Sequence, residues 1–276
     1  DEEKIGTSLQ RLVEEDPTFV VERNNETKQL LIGGQGNVQL AVIVNKLKND
    51  FGVEVNLKDP KIAFRETIKG TASVQGKHKK QSGGAGQYGD VHIRFEPSTE
   101  EFEFAEEVFG GSVPKQYIPA VEKGLKECLN EGVLAGYPVV NVKAVLFDGS
   151  YHPVDSNEMA FKIAASLAFK KGMEAAKPIL LEPIMKVEIL IPDDYMGDIM
   201  GDMNKRRGRI LGMDQQEDGT QLVMAEAPMA EMFKYAIDLR SMTQARGSFK
   251  MKFARYDEVP SNISEKIIED AKAEKE

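Results

Sequence analysis

Apolar residues recur at helical spacing at Ile5, Leu9, Leu12 and Val13, and Asp16-Pro17 closes the stripe, so the chain is predicted to open in a helix. Two short runs follow, Phe19–Arg23 and Gln29–Ile32, with Asn24-Asn25 supplying the turn between them. Val38, Ala41, Val42 and Leu47 predict a second helix, which halts at Phe51-Gly52 before a strand over Val53–Leu57. The order is α-β-β-α-β. From Pro183 the pattern returns with one more element: strand Ile184–Ile191, helix Tyr195–Lys205, strands Arg209–Gln215 and Gln221–Ala225, a helix from Met229, and strand Phe249–Arg255. That is β-α-β-β-α-β, the split βαβ unit of a ferredoxin-like domain. The first segment is the same unit without its opening strand. Part of its sheet would lack a partner, so the chain is expected to begin partway through a natural domain, with more protein upstream.

The middle segment mixes the two periods. A helix is predicted over Pro114–Asn130, a strand over Pro138–Phe147, and a turn over Asp148–Pro153. The next helix has the stripe Ala160, Ile163, Ala164, Leu167 and Ala168, a capping box from Asp155 and Glu158, and an end at Lys170-Lys171-Gly172. After Pro260, Ser261–Lys272 forms an amphipathic helix through Ile263, Ile267 and Ile268. The fold class expected is α+β in three domains: residues 1–58, a truncated ferredoxin-like unit; 59–181, a mixed α+β domain; and 182–259, a complete ferredoxin-like unit, followed by a helical tail over 260–276.

Phe64–Pro97 holds the most distinctive chemistry. Gly84-Ala85-Gly86-Gln87-Tyr88-Gly89 matches the spacing G-x-G-x-x-G, but a dinucleotide site requires a helix to open directly after it. Instead Asp90–Glu96 alternates Val91, Ile93 and Phe95 with His92, Arg94 and Glu96, which is a half-buried strand. The loop is therefore a strand-to-strand connection whose glycines let its backbone come close to something. A phosphate loop of the Walker type fails as well. Gly70 precedes Gly76 by six residues, and His78 stands where Ser or Thr should hold magnesium.

Composition narrows the classes. The 276 residues suit two domains or three small ones, and 41% hydrophobic content permits real cores. A formal net charge of -9 argues against indiscriminate nucleic-acid binding, yet two local basic clusters stand out, Lys77-His78-Lys79-Lys80 and Lys205-Arg206-Arg207-Gly208-Arg209. One cysteine, Cys128, allows no disulfide within the chain and suits a reducing compartment. Three scattered histidines make a structural zinc site improbable, and no apolar run is long enough for a membrane span. Cys128 and Met196, Met200 and Met203 are expected in cores. His78, His92 and His152 lack partners set by spacing, so no acid-base or nucleophilic constellation supports an enzyme.

Several longer motifs are more specific. Phe64-Arg65-Glu66-Thr67-Ile68, Ser82–Gly89, Pro114–Glu122, Gly132–Pro138 and Asp148–His152 closely resemble the fourth domain of bacterial elongation factor G. Leu181–Met185, Asn204–Gly208 and Leu239–Gln244 resemble its fifth. The resemblance covers essentially the whole chain, in order. It implies the third, fourth and fifth domains of a translocase or a close paralogue, the fourth resembling the ribosomal protein S5 domain 2-like fold. In that family the fourth domain is an arm whose tip enters the decoding region of the small subunit and helps carry transfer RNA and messenger from A to P site. The fifth domain lies near the large-subunit stalk base and the sarcin-ricin loop.

Carried onto this sequence, the resemblance implies one tip loop with Gly83, Gly84, Gly86, Gln87 and Tyr88, and another with Tyr151, His152 and Asp155. Lys77, Lys79, Lys80, Lys205, Arg206, Arg207 and Arg209 become candidates for ribosomal RNA phosphates. Each has a plainer reading: His152 as a surface histidine before a helix cap, the lysines as a solvated strand end, and Lys205–Arg207 as cations complementing a helix dipole. The implied partners are both ribosomal subunits and the transfer RNA with its messenger, in a cytoplasmic setting; the lack of a long apolar run argues for no membrane, and the lack of an exposed apolar stripe for a monomer. No cofactor is expected in this chain, with GTP and magnesium belonging to a missing N-terminal domain. Departures from the family pattern point to a paralogue. Gly36-Asn37-Val38-Gln39-Leu40 replaces the usual Gly-Glu-Leu-His-Leu, Ala41 an acidic residue, Ala85 an arginine, and Ala245-Arg246-Gly247 the commoner Gly-Arg-Ala. A ribosome-recycling or tetracycline-protection factor is the alternative within the superfamily, and a small-molecule enzyme with a nucleotide cradle is the alternative outside it.

Overall fold

The structure is a computed structural model and describes residues 2–81 and 86–273. In chain order its elements are α1 (Glu2–Glu15), β1 (Val20–Asn24), β2 (Gln29–Gly33), α2 (Asn37–Asn49), β3 (Arg65–Ile68), β4 (Ala72–Lys80), β5 (Gln87–Pro97), β6 (Phe102–Glu106), α3 (Ile118–Cys128), β7 (Val142–Ser150), α4 (Glu158–Ala175), β8 (Pro178–Pro192), α5 (Met196–Lys205), β9 (Arg209–Gln215), β10 (Thr220–Pro228), α6 (Tyr235–Met242), β11 (Ser248–Glu258) and α7 (Ser261–Ala273). They divide into two compact units, one formed by the stretch up to Ala63 with Pro183–Arg255, the other by Phe64–Glu182 with the stretch from Tyr256.

In the first unit the complete ferredoxin-like pattern is realised. The sheet runs β11-β8-β10-β9, which places the fourth strand of the motif beside the first and the third beside the second, as the split βαβ topology requires. Val187, Ile189, Ile191, Val223 and Ala225 turn inward at every second position and meet Ile199 and Met203 of α5 and Tyr235 and Leu239 of α6. Met203 is fully buried and Met196 packs beside it, but Met200, expected in the core, is 37% exposed because it lies on the outer side of α5.

The N-terminal segment of this unit forms α1, the hairpin β1–β2 in register Val20↔Gly33 to Asn24↔Gln29, and α2. Leu9, Leu12, Phe19, Ile43 and Leu47 make its core. The predicted face of α2 is corrected here. Val38, Ala41 and Val42 point outward, and Leu40, Ile43 and Leu47 pack inward. Two apolar stripes compete on this helix, and contact with α1 and the hairpin selects the second. The strand expected over Val53–Leu57 joins no ladder. In the split βαβ order the last strand pairs with the first, and no such strand is among the described residues; Val53 is nonetheless buried and Val55 packs against the core.

The second unit has the order β-β-β-α-β-α over β4, β5, β6, α3, β7 and α4, in a sheet ordered β4-β5-β7-β6 with β6 parallel to β7. Both helices pack on one face of it. Val91, Ile93 and Phe95 are fully buried, as their alternation predicted. α4 extends past Gly172 to Ala175 and buries Phe161, Ala165, Phe169 and Met173 beside the expected alanines, while Ile163 is half-buried and Leu167 exposed. A helix covered by both the sheet and α3 hides more than one stripe. Its N-cap is also different from the expected capping box: Asn157 Oδ1 accepts from the Ala160 amide at 2.9 Å. Asp148–Ser150 is strand, not turn, since β7 continues opposite β5 through Asp90↔Ser150. Pro138–Asn141 precedes the strand, with Asn141 at φ 59°. β3 pairs with the start of β8, from Arg65↔Leu181 to Ile68↔Pro178. Beside it Glu66, 1% exposed, accepts the backbone amides of Leu134, Ala135, Gly136 and Tyr137 at 2.9–3.1 Å, so one buried carboxylate organises the whole Gly132–Pro138 loop.

Candidate functional site

β4 and β5 form an antiparallel hairpin whose end carries the first basic cluster. Lys77 faces Asp90, His78 faces Gly89, Lys79 faces Tyr88 and Lys80 faces Gln87. Cross-strand partners share a face, so Lys77, Lys79 and Tyr88 lie on one side and His78, Lys80 and Gln87 on the other. The three lysines are exposed, and the Lys77 ammonium sits 5.4 Å from the Tyr88 ring centroid. Gln87 Oε1 is 2.8 Å from His78 Nε2, which engages part of its amide internally. Ser82, Gly83, Gly84 and Ala85 lie outside the described residues. The chain continues from the loop directly into β5, so the G-x-G-x-x-G spacing is not followed by the helix that a dinucleotide fingerprint requires.

At two of the described glycines, the close approach predicted for the loop is made to the protein itself. A side chain at Gly86 would run into the Asp155 carboxylate at 2.8 Å, and one at Gly89 into the Ala160 carbonyl oxygen at 2.5 Å. The Gly86 amide donates to Asp155 Oδ1 at 3.1 Å and the Tyr88 amide to the Asp155 carbonyl at 2.9 Å. The two candidate loops are thus joined.

Residues 151–157 connect β7 to α4 and hold His152 at the surface. Its Nδ1 accepts the amides of Val154 at 3.3 Å and Asp155 at 3.1 Å, which assigns the ring proton of the neutral form to Nε2. The Asp155 Oδ2 atom is 3.4 Å from the same nitrogen, but in the neutral ring that lone pair already serves two amides, so this contact is not an ion pair. The side chain is 50% exposed, beside exposed Tyr151 and Val154. Ser156 Oγ accepts the His152 amide at 2.8 Å and donates to the Tyr88 carbonyl at 2.8 Å, and Tyr117 Oη donates to the Ser156 carbonyl at 3.0 Å. The loop therefore presents an anchored imidazole with an outward N–H donor.

Behind this surface runs a polar strip that sequence reasoning missed. Asp90, 5% exposed, accepts from Gln75 Nε2 at 2.8 Å and Ser150 Oγ at 2.7 Å, and Ser150 Oγ is 2.7 Å from Tyr88 Oη. Asp90 sits at a polar position of an alternating strand, where an acid is unremarkable until its register partner Ser150 is known. Ser156 carried no signal, and Tyr117 only its place in the Pro114–Glu122 motif.

The second basic cluster ends α5, and its members differ sharply. Lys205 and Arg209 are exposed. Arg206 is turned inward: its side chain is 12% exposed and donates to Asp202, Asp238 and the Glu231 carbonyl while lying 5.0 Å over the Tyr235 ring. Its guanidinium is committed to closing α5 against α6. Burial pushes the Tyr235 phenol well above its ordinary range, with Asp202 adding to the shift and Arg206 opposing it. Arg207 donates to Glu231 at 3.1 Å from a left-handed backbone, φ 57°. Arg209 faces Glu226 across the ladder, and Lys186 and Arg255 flank the same carboxylate. Among the described residues no His, Cys, Asp and Glu group could hold a metal ion, and no helix is long and apolar enough to cross a membrane.

Comparison with known families accounts for nearly the whole length. Residues 1–59 match the model of elongation factor G domain III, 60–177 that of elongation factor G domain IV, and 179–267 that of the elongation factor G C-terminus. The chain belongs to the elongation factor G family. It is also similar to the crystal structure of a protein from Thermus thermophilus, at 46% identity and a TM-score of 0.87 over 99% of this chain. The chain spans 41% of the length of that protein. Both candidate loops fall within the domain IV match, and the Lys205–Arg209 cluster within the match to the elongation factor G C-terminus. The mixed α+β architecture is that of these elongation factor G domains.

Proposed function

We propose that this chain is the ribosome-binding, translocation-promoting part of a translational GTPase, acting as a rigid arm without bond chemistry of its own. The observation that carries this reading is the joined pair of loops. Asp155 and Ser156 fasten the end of the β4–β5 hairpin to the segment bearing His152, and the combined end offers a donor imidazole, Tyr151 and exposed lysines. Such a surface suits unstacked RNA, where phosphates attract cations and a fixed N–H donor meets a base, a ribose or a phosphate oxygen. The proposed ligands are transfer RNA and messenger in the decoding region for the loops. Lys205, Arg207 and Arg209 would meet ribosomal RNA phosphates, and Lys77, Lys79 and Lys80 would act near the tip. Arg206 is left to its internal role. GTP and magnesium belong, on this reading, to another domain of the parent protein, which would work as a cytoplasmic monomer.

The test is single-turnover movement of peptidyl-transfer RNA on ribosomes by the full-length parent, wild type against His152→Ala. Loss of an anchored charge-assisted or neutral contact of this kind is expected to slow movement by about tenfold or more while GTP hydrolysis continues. Equal rates for the two proteins would remove the tip role. A wild type that moves nothing but splits ribosomes or relieves tetracycline would favour the recycling or protection reading instead.

A further inference from the structure

Asp90 is a carboxylate held in the middle of a strand at 5% exposure, where an acid is costly unless its oxygens are satisfied. Both are satisfied, by Gln75 and Ser150. A carboxylate only accepts, so the single Ser150 proton is directed at Asp90. The Tyr88 hydroxyl, 2.7 Å from Ser150 Oγ, is then the donor in that pair. The hydroxyl protons run one way, from Tyr88 to Ser150 to Asp90. Tyr88 in turn seats the second loop through its backbone, donating to the Asp155 carbonyl and accepting from Ser156 Oγ, and Ser156 Oγ accepts the His152 amide. Hydrogen bonds on either side of Tyr88, joined through the body of that residue, therefore link a buried acid to the backbone of the residue that carries the exposed ring.

We infer that Asp90 is a positioning residue for His152: its carboxylate fixes the direction of the Tyr88–Ser150 hydroxyl pair, and through Tyr88 the seat of the loop that presents the imidazole. This rests on the arm-tip reading for its consequence in function, but not for its consequence in geometry. Asp90→Asn keeps the volume and the number of bonds, yet its amide donates to Ser150 and reverses the chain. Asp90→Ala removes the acceptor and leaves Ser150 and Gln75 unanswered. Tyr88→Phe deletes one hydroxyl and leaves the carboxylate in place.

Two measurements test it. In this chain, the ring nitrogen NMR signals of His152 are expected to show the Nε2–H tautomer, and Asp90→Ala and Tyr88→Phe are expected to shift them toward a mixture. Unchanged signals in both variants would overturn the inference whatever the protein does. In the full-length parent, Asp90→Ala is expected to slow transfer RNA movement by about tenfold, but by less than about twofold where His152 is already alanine, because neighbours in one network are not additive. Asp90→Asn should fall between wild type and Asp90→Ala. Equal slowing in both backgrounds would mean that Asp90 only stabilises the fold, and the inference would fail while the tip reading stood. Should Asp90→Ala not fold, Tyr88→Phe carries the same cycle. If His152→Ala moves transfer RNA at the wild-type rate, the tip reading itself fails and the role in movement goes with it.

Discussion

Gln244 and Ala245 occupy consecutive left-handed positions between α6 and β11, at φ 51° and 63°. A β-carbon there crowds the following carbonyl oxygen, at about 1–2 kcal/mol relative to glycine. Neither residue is glycine, so this chain retains a strained turn. Part of the gain from glycine is lost to its freer unfolded state, which leaves a net of about 0.5–1 kcal/mol. Ala245→Gly is expected to raise the midpoint of thermal unfolding by about 1–4 °C. A midpoint that stays or falls would show that the neighbours, not the dihedral, set the cost. Gln39 is held by its own set of bonds. Its amide donates to Asp16 Oδ2 at 2.6 Å and Thr18 Oγ1 at 2.7 Å and accepts the Gln35 amide at 2.7 Å. Three bonds exceed what the two ring nitrogens of a histidine could offer, so glutamine locks the turn before α2 to the end of α1.

The outer face of the β11-β8-β10-β9 sheet gathers three cations around one acid. Arg255 holds Glu226 through both nitrogens at 2.7 and 3.0 Å, and Arg209 and Lys186 stand opposite it in the ladders. The Arg255 hydrogen bonds, with the charges of Arg255, Arg209 and Lys186, hold the Glu226 carboxyl below its ordinary value. A depressed carboxyl binds fewer protons folded than unfolded. Its stabilisation is therefore complete above the unfolded value, about 4.3, and is lost as pH falls through the lower folded value. Glu226→Gln is expected to unfold more readily than wild type at pH 7, with the gap closing below about pH 4. A gap that is constant with pH in denaturant titrations would assign the effect to packing instead. Legibility at this scale followed the number of neighbours an element has. Strands with strict alternation, such as Val91, Ile93 and Phe95, were readable because one sheet face decides each position. The α2 face was not, because Val38, Ala41 and Val42 offer a second stripe and only contact with α1 and the hairpin chooses. The strand over 53–57 depended on a partner that local pattern cannot supply. At the candidate site the motifs located both loops, but Asp90, Ser150 and Ser156 became visible only through register and bonding across some 60 residues of sequence.

To bind a polyanion, as proposed, a chain with net charge -9 would have to act through local fields, against the sum of its own charge. The fold supplies the means by placing cations on alternate strand positions: Lys77 and Lys79 share one face of the hairpin end, and Lys80 extends from the other. By contrast the buried Arg206 adds a positive charge that its two carboxylate partners cancel locally. Counting basic residues therefore overstates the contact. If exposed lysines meet phosphates, each neutralised phosphate releases condensed counterions, and affinity falls with salt by a slope of about 0.7–0.9 per contact. Ribosome pelleting of this chain across a salt series is expected to give a measurable negative slope. Replacing Lys79 and Lys80 together with glutamine should make it shallower by about 1.4–1.8, whereas Arg206→Gln should lower thermal stability and leave the slope nearly unchanged. An unchanged slope for the lysine pair would mean that the hairpin end meets its partner through backbone and ring contacts rather than through charge. A slope lowered by Arg206→Gln as much as by the lysine pair would mean that its internal partners open on binding.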